Sequence, residues 1–188
     1  RQFIEAGKYR HASRVGEQIG ISQNGGEFIG VFASGGFEEP VVSENSNIFS
    51  WQIADGTNPR IGPTDGQKHG GNYSLLMSFA PGSKIIRPVS QTVPVEPGKS
   101  YVFEAFYRSD AKTQAKLKWQ VVTAANGKLI ALTDPLTPTA DWTPVRITFN
   151  VPADIDGVTI RFAAQDCDPA VCSISGNIWF DDFTLRSQ

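Results

Sequence analysis

From Glu27 to the end of the chain, apolar and polar residues alternate in short runs, and a period of two fits strands better than helices. The clearest run is Tyr101-Val102-Phe103-Glu104-Ala105-Phe106-Tyr107-Arg108. Tyr101, Phe103, Ala105 and Tyr107 form its apolar set, and Val102, Glu104, Phe106 and Arg108 its outward set. The same reading turns Leu117, Trp119 and Val121 inward and leaves Lys116, Lys118 and Gln120 outside. Val145, Ile147 and Phe149 point in against Arg146 and Thr148, as do Val158, Ile160 and Phe162 against Arg161. Strands are predicted at 28–33, 49–53, 73–79, 85–93, 101–108, 116–123, 129–132, 143–151, 158–164 and 177–185. Pro81-Gly82, Pro97-Gly98, Asn126-Gly127 and Asp156-Gly157 separate them, and Asn126-Gly127 is the strongest hairpin signal. No strand–helix–strand unit intervenes, which excludes a nucleotide-binding parallel sheet. The fold class expected is all-β: a two-sheet antiparallel jelly-roll β-sandwich, with a short helix or linker ahead of it.

That leading segment has a different period. Phe3, Ile4, Ala6, Tyr9, Ala12, Val15 and Ile19 recur at helical spacing, and Ser22-Gln23-Asn24-Gly25-Gly26 ends the pattern. Residues 1–27 are therefore read as a linker or the helical tail of an upstream domain, and 28–188 as the jelly roll. Ala6-Gly7-Lys8-Tyr9 with Ala12 faintly resembles a tetratricopeptide-repeat helix, so an upstream helical domain is an expected partner. Arg1 opens the chain without a signal sequence, and the chain is read as a piece of a longer protein whose export signal is removed. A formal charge of −2 with both signs scattered gives no basic footprint for nucleic acid or an anionic membrane. No apolar run approaches the ~20 residues of a spanning helix, so membrane insertion is not expected.

Cys167 and Cys172 enclose Asp168-Pro169-Ala170-Val171. They read either as a local disulfide, contributing about 2 kcal/mol, or as a reduced cytosolic pair; the disulfide is the reading taken, and it places the chain outside the cytoplasm. Zinc is not favoured, because the two histidines, His11 and His69, lie far along the chain from both cysteines.

Several stretches in order resemble the carbohydrate-binding modules of the xylan- and glucan-binding jelly-roll type, galactose-binding-like sandwiches of bacterial extracellular proteins. Gly35-Gly36-Phe37-Glu38-Glu39-Pro40 followed by Trp51 is similar to that family's opening, and Gly71 with Ser74-Leu75 to its next strand. Pro97-Gly98-Lys99-Ser100-Tyr101 is similar to the lead into its central strand. Trp142 with Val145 and Phe149, and the closing Ile178-Trp179-Phe180-Asp181-Asp182-Phe183-Thr184-Leu185, complete the likeness. The likeness covers about residues 28–185. Phe37, Tyr101, Phe103 and Trp142 also have a plain reading as core residues of a sandwich without ligand.

The resemblance implies a structural calcium tying the first strand to the last, with Glu38 and Asp181 as its side-chain ligands and backbone carbonyls completing the shell. The alternative is that one acid caps backbone amides and the other faces water. It also implies a polysaccharide or oligosaccharide partner, held by flat aromatic faces and planar polar groups on one concave sheet face. The outward residues available for that are Glu104, Phe106, Arg108, Lys118, Gln120, Arg146 and Arg161, with Trp179 beside them. The row is rich in cations and poor in aromatics, which suits an acidic polysaccharide or an ordinary solvated face.

Catalytic signals are weak. Gly98-Lys99-Ser100 matches the end of a phosphate loop, but Val93 stands where its first glycine belongs. His69, in Lys68-His69-Gly70-Gly71, reads as an exposed loop residue. The function expected is therefore a non-catalytic polysaccharide-binding module, extracellular or periplasmic. The alternative is a structural or adhesion sandwich packed on an upstream helical domain or a protein partner.

Overall fold

The computed structural model describes residues 2–18, 31–39, 47–84, 86–166 and 173–188, the side chains of 15–18 excepted. Cys167 and Cys172 lie outside the described residues, as do 28–30 of the first predicted strand. The chain opens with helices α1 (Gln2–Glu5) and α2 (Tyr9–Gln18). Strands follow as β1 (Gln52–Ile53), β2 (Arg60–Thr64), β3 (Ser74–Ser83), β4 (Val89–Pro94) and β5 (Ser100–Ser109). They continue as β6 (Lys112–Thr113), β7 (Lys116–Thr123), β8 (Leu129–Leu132), β9 (Thr139–Asn150), β10 (Gly157–Gln165) and β11 (Ile174–Ser187).

Two antiparallel sheets result. The first has the order β1-β4-β10-β7-β8 and the second β2-β3-β11-β5-β9, with β6 paired beside β11. Asn126-Gly127 makes the β7–β8 hairpin as predicted: Gly127 takes φ 70° and the Asn126 carboxamide accepts the Lys128 amide at 3.1 Å. Every inward residue named above is buried or packed against the buried cluster.

Between the sheets lies an aromatic core. The Phe183 ring is 4.8 Å from Trp51 and 5.0 Å from Trp119 in edge-on contacts, and Phe32, Phe37, Phe103, Phe162 and Phe180 surround them. Phe180 and Phe183 both reach this core although three residues apart, because β11 carries a bulge between Asp181 and Thr184, with Asp182 at φ 49°. One extra residue shifts the alternation and turns two successive acids toward the outside of the second sheet.

Several strand expectations need correction. Residues 31–33 do not join a sheet; the buried Gln91 side chain takes the Ala33 amide and gives to the Ala33 carbonyl, both at 3.0 Å, in place of a neighbouring strand. β2 is not among the predicted strands; it carries Pro63 and is an edge strand, where a missing N–H is tolerated. Pro81-Gly82 does not end β3, which runs past them to Ser83 beyond the stretch paired with β2. β4 begins only after Pro88, which has no amide to give.

The α2 helix packs on one end of the sandwich. Asp156 accepts the Tyr9 amide at 3.0 Å and the Arg10 amide at 3.3 Å, and Tyr9 is buried against Gly157. Among the described residues no helix is long and apolar enough to cross a membrane.

Candidate functional site

The eight outward residues expected to share one face do not. Alternation distinguishes inside from outside within each strand but cannot tell which of two sheets a strand joins. Lys118, Gln120 and Arg161 stand on the outer face of the first sheet, whereas Glu104, Phe106, Arg108, Arg146 and Trp179 stand on the outer face of the second.

On the first sheet, register aligns Gln52, Ser90, Arg161, Gln120 and Leu132 as one row crossing all five strands. At its centre Arg161 donates from Nε to Gln120 Oε1 at 2.8 Å. Gln120 is itself buried, so the bond uses it to fix the exposed Arg161 guanidinium, whose Nη groups remain to face a ligand. One row further on, the Thr92 and Thr159 hydroxyls meet at 2.9 Å, and Lys118 lies opposite Ala163. No aromatic side chain stands in these rows.

The middle of the second sheet's outer face is covered by the chain itself. The His69 ring lies over Phe106, centroids 3.8 Å apart and nearly parallel, and Trp142 meets His69 edge-on at 5.8 Å. Phe106 is thereby spent on a protein contact. One correction follows. Trp142 is not a core residue: Val145 and Phe149 point inward, so an even-numbered neighbour on β9 points out. His69 is an exposed loop residue as expected, and its Nδ1 also pairs with Asp182 Oδ2 at 2.7 Å. Further along, Glu104 meets Arg186 at 2.9 Å and Arg146 at 3.8 Å, exposed pairs worth little. Gln67, from the same covering loop, accepts Arg108 Nη1 at 2.8 Å.

Glu38 and Asp181, the pair assigned to calcium, are brought to this one loop. Glu38 Oε1 accepts the amides of Asn72 (2.8 Å) and Tyr73 (3.0 Å), and Oε2 accepts the Asn72 side chain at 3.2 Å. Those amides hold the Glu38 carboxyl below its ordinary range, the Tyr73 bond contributing most. Asp181 is fully buried, and burial pushes its carboxyl up, opposed by amides from His69 (2.8 Å), Gly70 (3.1 Å) and Asp182 (2.8 Å). The donor atoms are hard carboxylate oxygens of the kind calcium takes, and among the described residues Glu38 Oε2 and Asp181 Oδ1 each carry a single hydrogen bond. Among the described residues no group of three or more His, Cys, Asp or Glu side chains gathers as a metal site, so backbone carbonyls would have to complete any shell.

Comparison with known proteins now decides the kinship. The family described as carbohydrate binding domain matches residues 30–170, three-quarters of the chain. This chain belongs to that family. No curated protein matches this carbohydrate-binding domain. Among solved structures, a CBM4 module is 20% identical with TM-score 0.61, covering 84% of this chain and 99% of the module. A family 16 carbohydrate-binding module is 17% identical with TM-score 0.57, covering 82% and 98%. TmCBM61, solved with β-1,4-galactotriose, is 16% identical with TM-score 0.56, covering 84% and 99%. At such identities the likeness shows a shared fold, the two-sheet sandwich predicted above.

Proposed function

We propose that this carbohydrate-binding domain holds polysaccharide on the outer face of its first sheet, through Arg161, Gln120 and Lys118, and that it acts by binding rather than catalysis. The observation that carries the reading is the Arg161–Gln120 pair at the centre of a row that crosses five strands. A planar guanidinium held by the buried Gln120 amide presents its remaining donors in fixed directions to sugar hydroxyls or to a uronic carboxylate. The middle of the opposite face is closed by His69 and its loop, which favours the first sheet, where Arg161 stands exposed. A secreted setting fits this role, since tethering a parent protein to polysaccharide raises its local concentration there. Calcium is part of the same proposal: Glu38 and Asp181 would hold it beside the 69–73 loop, where it would tie the first segment to β11.

The binding claim is tested by electrophoresis through gels carrying xylan, mixed-linkage glucan, galactomannan or polygalacturonate. The wild-type chain is expected to be retarded by at least one of them. Arg161→Ala and Gln120→Ala are expected to lose about tenfold in affinity each, the loss of roughly one hydrogen bond to a charged or planar group. Undiminished retardation of the double variant, with its circular dichroism unchanged, would rule this face out.

A further inference from the structure

The second sheet keeps one open region beside its covered centre, and a tryptophan floors it. Register aligns Gly62, Leu76, Trp179 and Arg108 in a row across β2, β3, β11 and β5. The other three tryptophans pack against aromatic rings: Trp51 and Trp119 in the core and Trp142 against His69. Among the described residues Trp179 has no ring partner and is only partly buried. Beyond Leu76, Gly62 carries no side chain, and a methyl placed there would meet open space. The Trp179 ring and Arg108 line a pocket of about 310 Å³, walled by Asp110 and by residues 138–140 of the β9 approach.

Its polar groups are set in place. Arg108 is anchored through Nη1 on Gln67, which fixes the fork while leaving further N–H groups. Asp110 is held by the Asn177 amide at 2.6 Å and the Asn177 side chain at 3.3 Å. That approach depends on Gly176 at φ 92°, where a side chain would strike Asp110. A flat indole, a fixed cation and a fixed anion in one small pocket match a ring with one C–H face and hydroxyls around its rim. The two charges offset each other, which favours a neutral ring over an acidic one. The volume lies at the low end of the ~300–1,000 Å³ of small-ligand pockets, room for a chain end rather than a chain.

We infer that Trp179, Arg108 and Asp110 form a second saccharide subsite, on the face opposite the Arg161–Gln120 row, which takes a terminal neutral pyranose. The inference rests on the reading that this domain binds saccharides, but not on which face does so. The two sites face away from one another, so one domain would hold two separate chains.

The test titrates tryptophan emission with methyl β-xyloside, cellobiose and β-1,4-galactobiose in the wild type, Trp179→Ala, Trp179→Phe and the Arg161→Ala/Gln120→Ala double variant. A saturable shift with at least one probe is expected in the wild type and in the double variant. It is expected to vanish in Trp179→Ala, while proton NMR shows probe binding to Trp179→Phe weakened less than tenfold. A shift that survives in Trp179→Ala, or no response to any probe, overturns the subsite. A shift lost in the double variant overturns it too and leaves the first-sheet face standing. A shift kept in the double variant, with polysaccharide retardation also unaffected there, upholds the subsite and removes the first-sheet reading instead.

Discussion

Gly71 shows how closely single residues are fitted here. It adopts φ 54°, and a Cβ there would collide with the Glu38 carboxylate. Gly71→Ala therefore adds left-handed strain to a clash with a carboxylate that carries three hydrogen bonds. It is expected to lower stability by about 1–2 kcal/mol, read from the midpoint of urea unfolding; an unchanged midpoint would mean that the loop is not anchored by Glu38. Some residue roles were legible in advance. Phe37, Tyr101 and Phe103 are core residues as expected. Trp142 was legible in principle, since counting back in twos from Val145 places it outside, but its size argued for burial. The stacking of His69 on Phe106 was not legible, because the two residues are distant in the chain and nothing local couples them.

At the scale of elements, the strands with regular alternation were read almost to their ends, β7 and β8 among them. Elements that depend on a distant partner were missed: β2 exists because β3 offers an edge, and residues 31–33 fail to pair because Gln91 replaces the neighbour. The seating of α2 belongs here too. Burial raises the Tyr9 hydroxyl above its ordinary value of 10.0, and the Asp156 charge adds to it. Tyr101 is raised likewise by burial, against an opposing hydrogen bond from the Glu96 amide. A group raised in the folded state favours folding fully below its unfolded value, and that advantage disappears as pH climbs through its folded value. Stability is therefore expected to fall above about pH 10, with Tyr9→Phe softening the decline. Equal urea midpoints at pH 8 and pH 11 would contradict the burial of both rings.

For the molecule as a whole, sequence alone gave the sandwich but assigned its outward residues to one surface. Period two says which side of a strand is wet; only pairing says which sheet the strand enters, and the β7–β10 pair and the β5–β11 pair go to different sheets. Calcium is a whole-molecule question as well, because Glu38 precedes the sandwich strands and Asp181 sits in the last of them. A cation held between them is expected to raise the melting temperature, by several degrees for a few kcal/mol of linkage. Coincident melting curves with excess calcium and with chelator would remove it.

The position of β11 has a consequence for biosynthesis. Of the strands of this domain it is the last to be synthesised, yet it sits between β3 and β5 and supplies Phe180 and Phe183 to the aromatic core. Until it emerges, β3 and β5 have long edges with no neighbour on that side, and such edges invite misassociation. Assembly of the second sheet thus waits on β11, and a domain that lacks it keeps β2-β3 and β5-β9 as two separate halves.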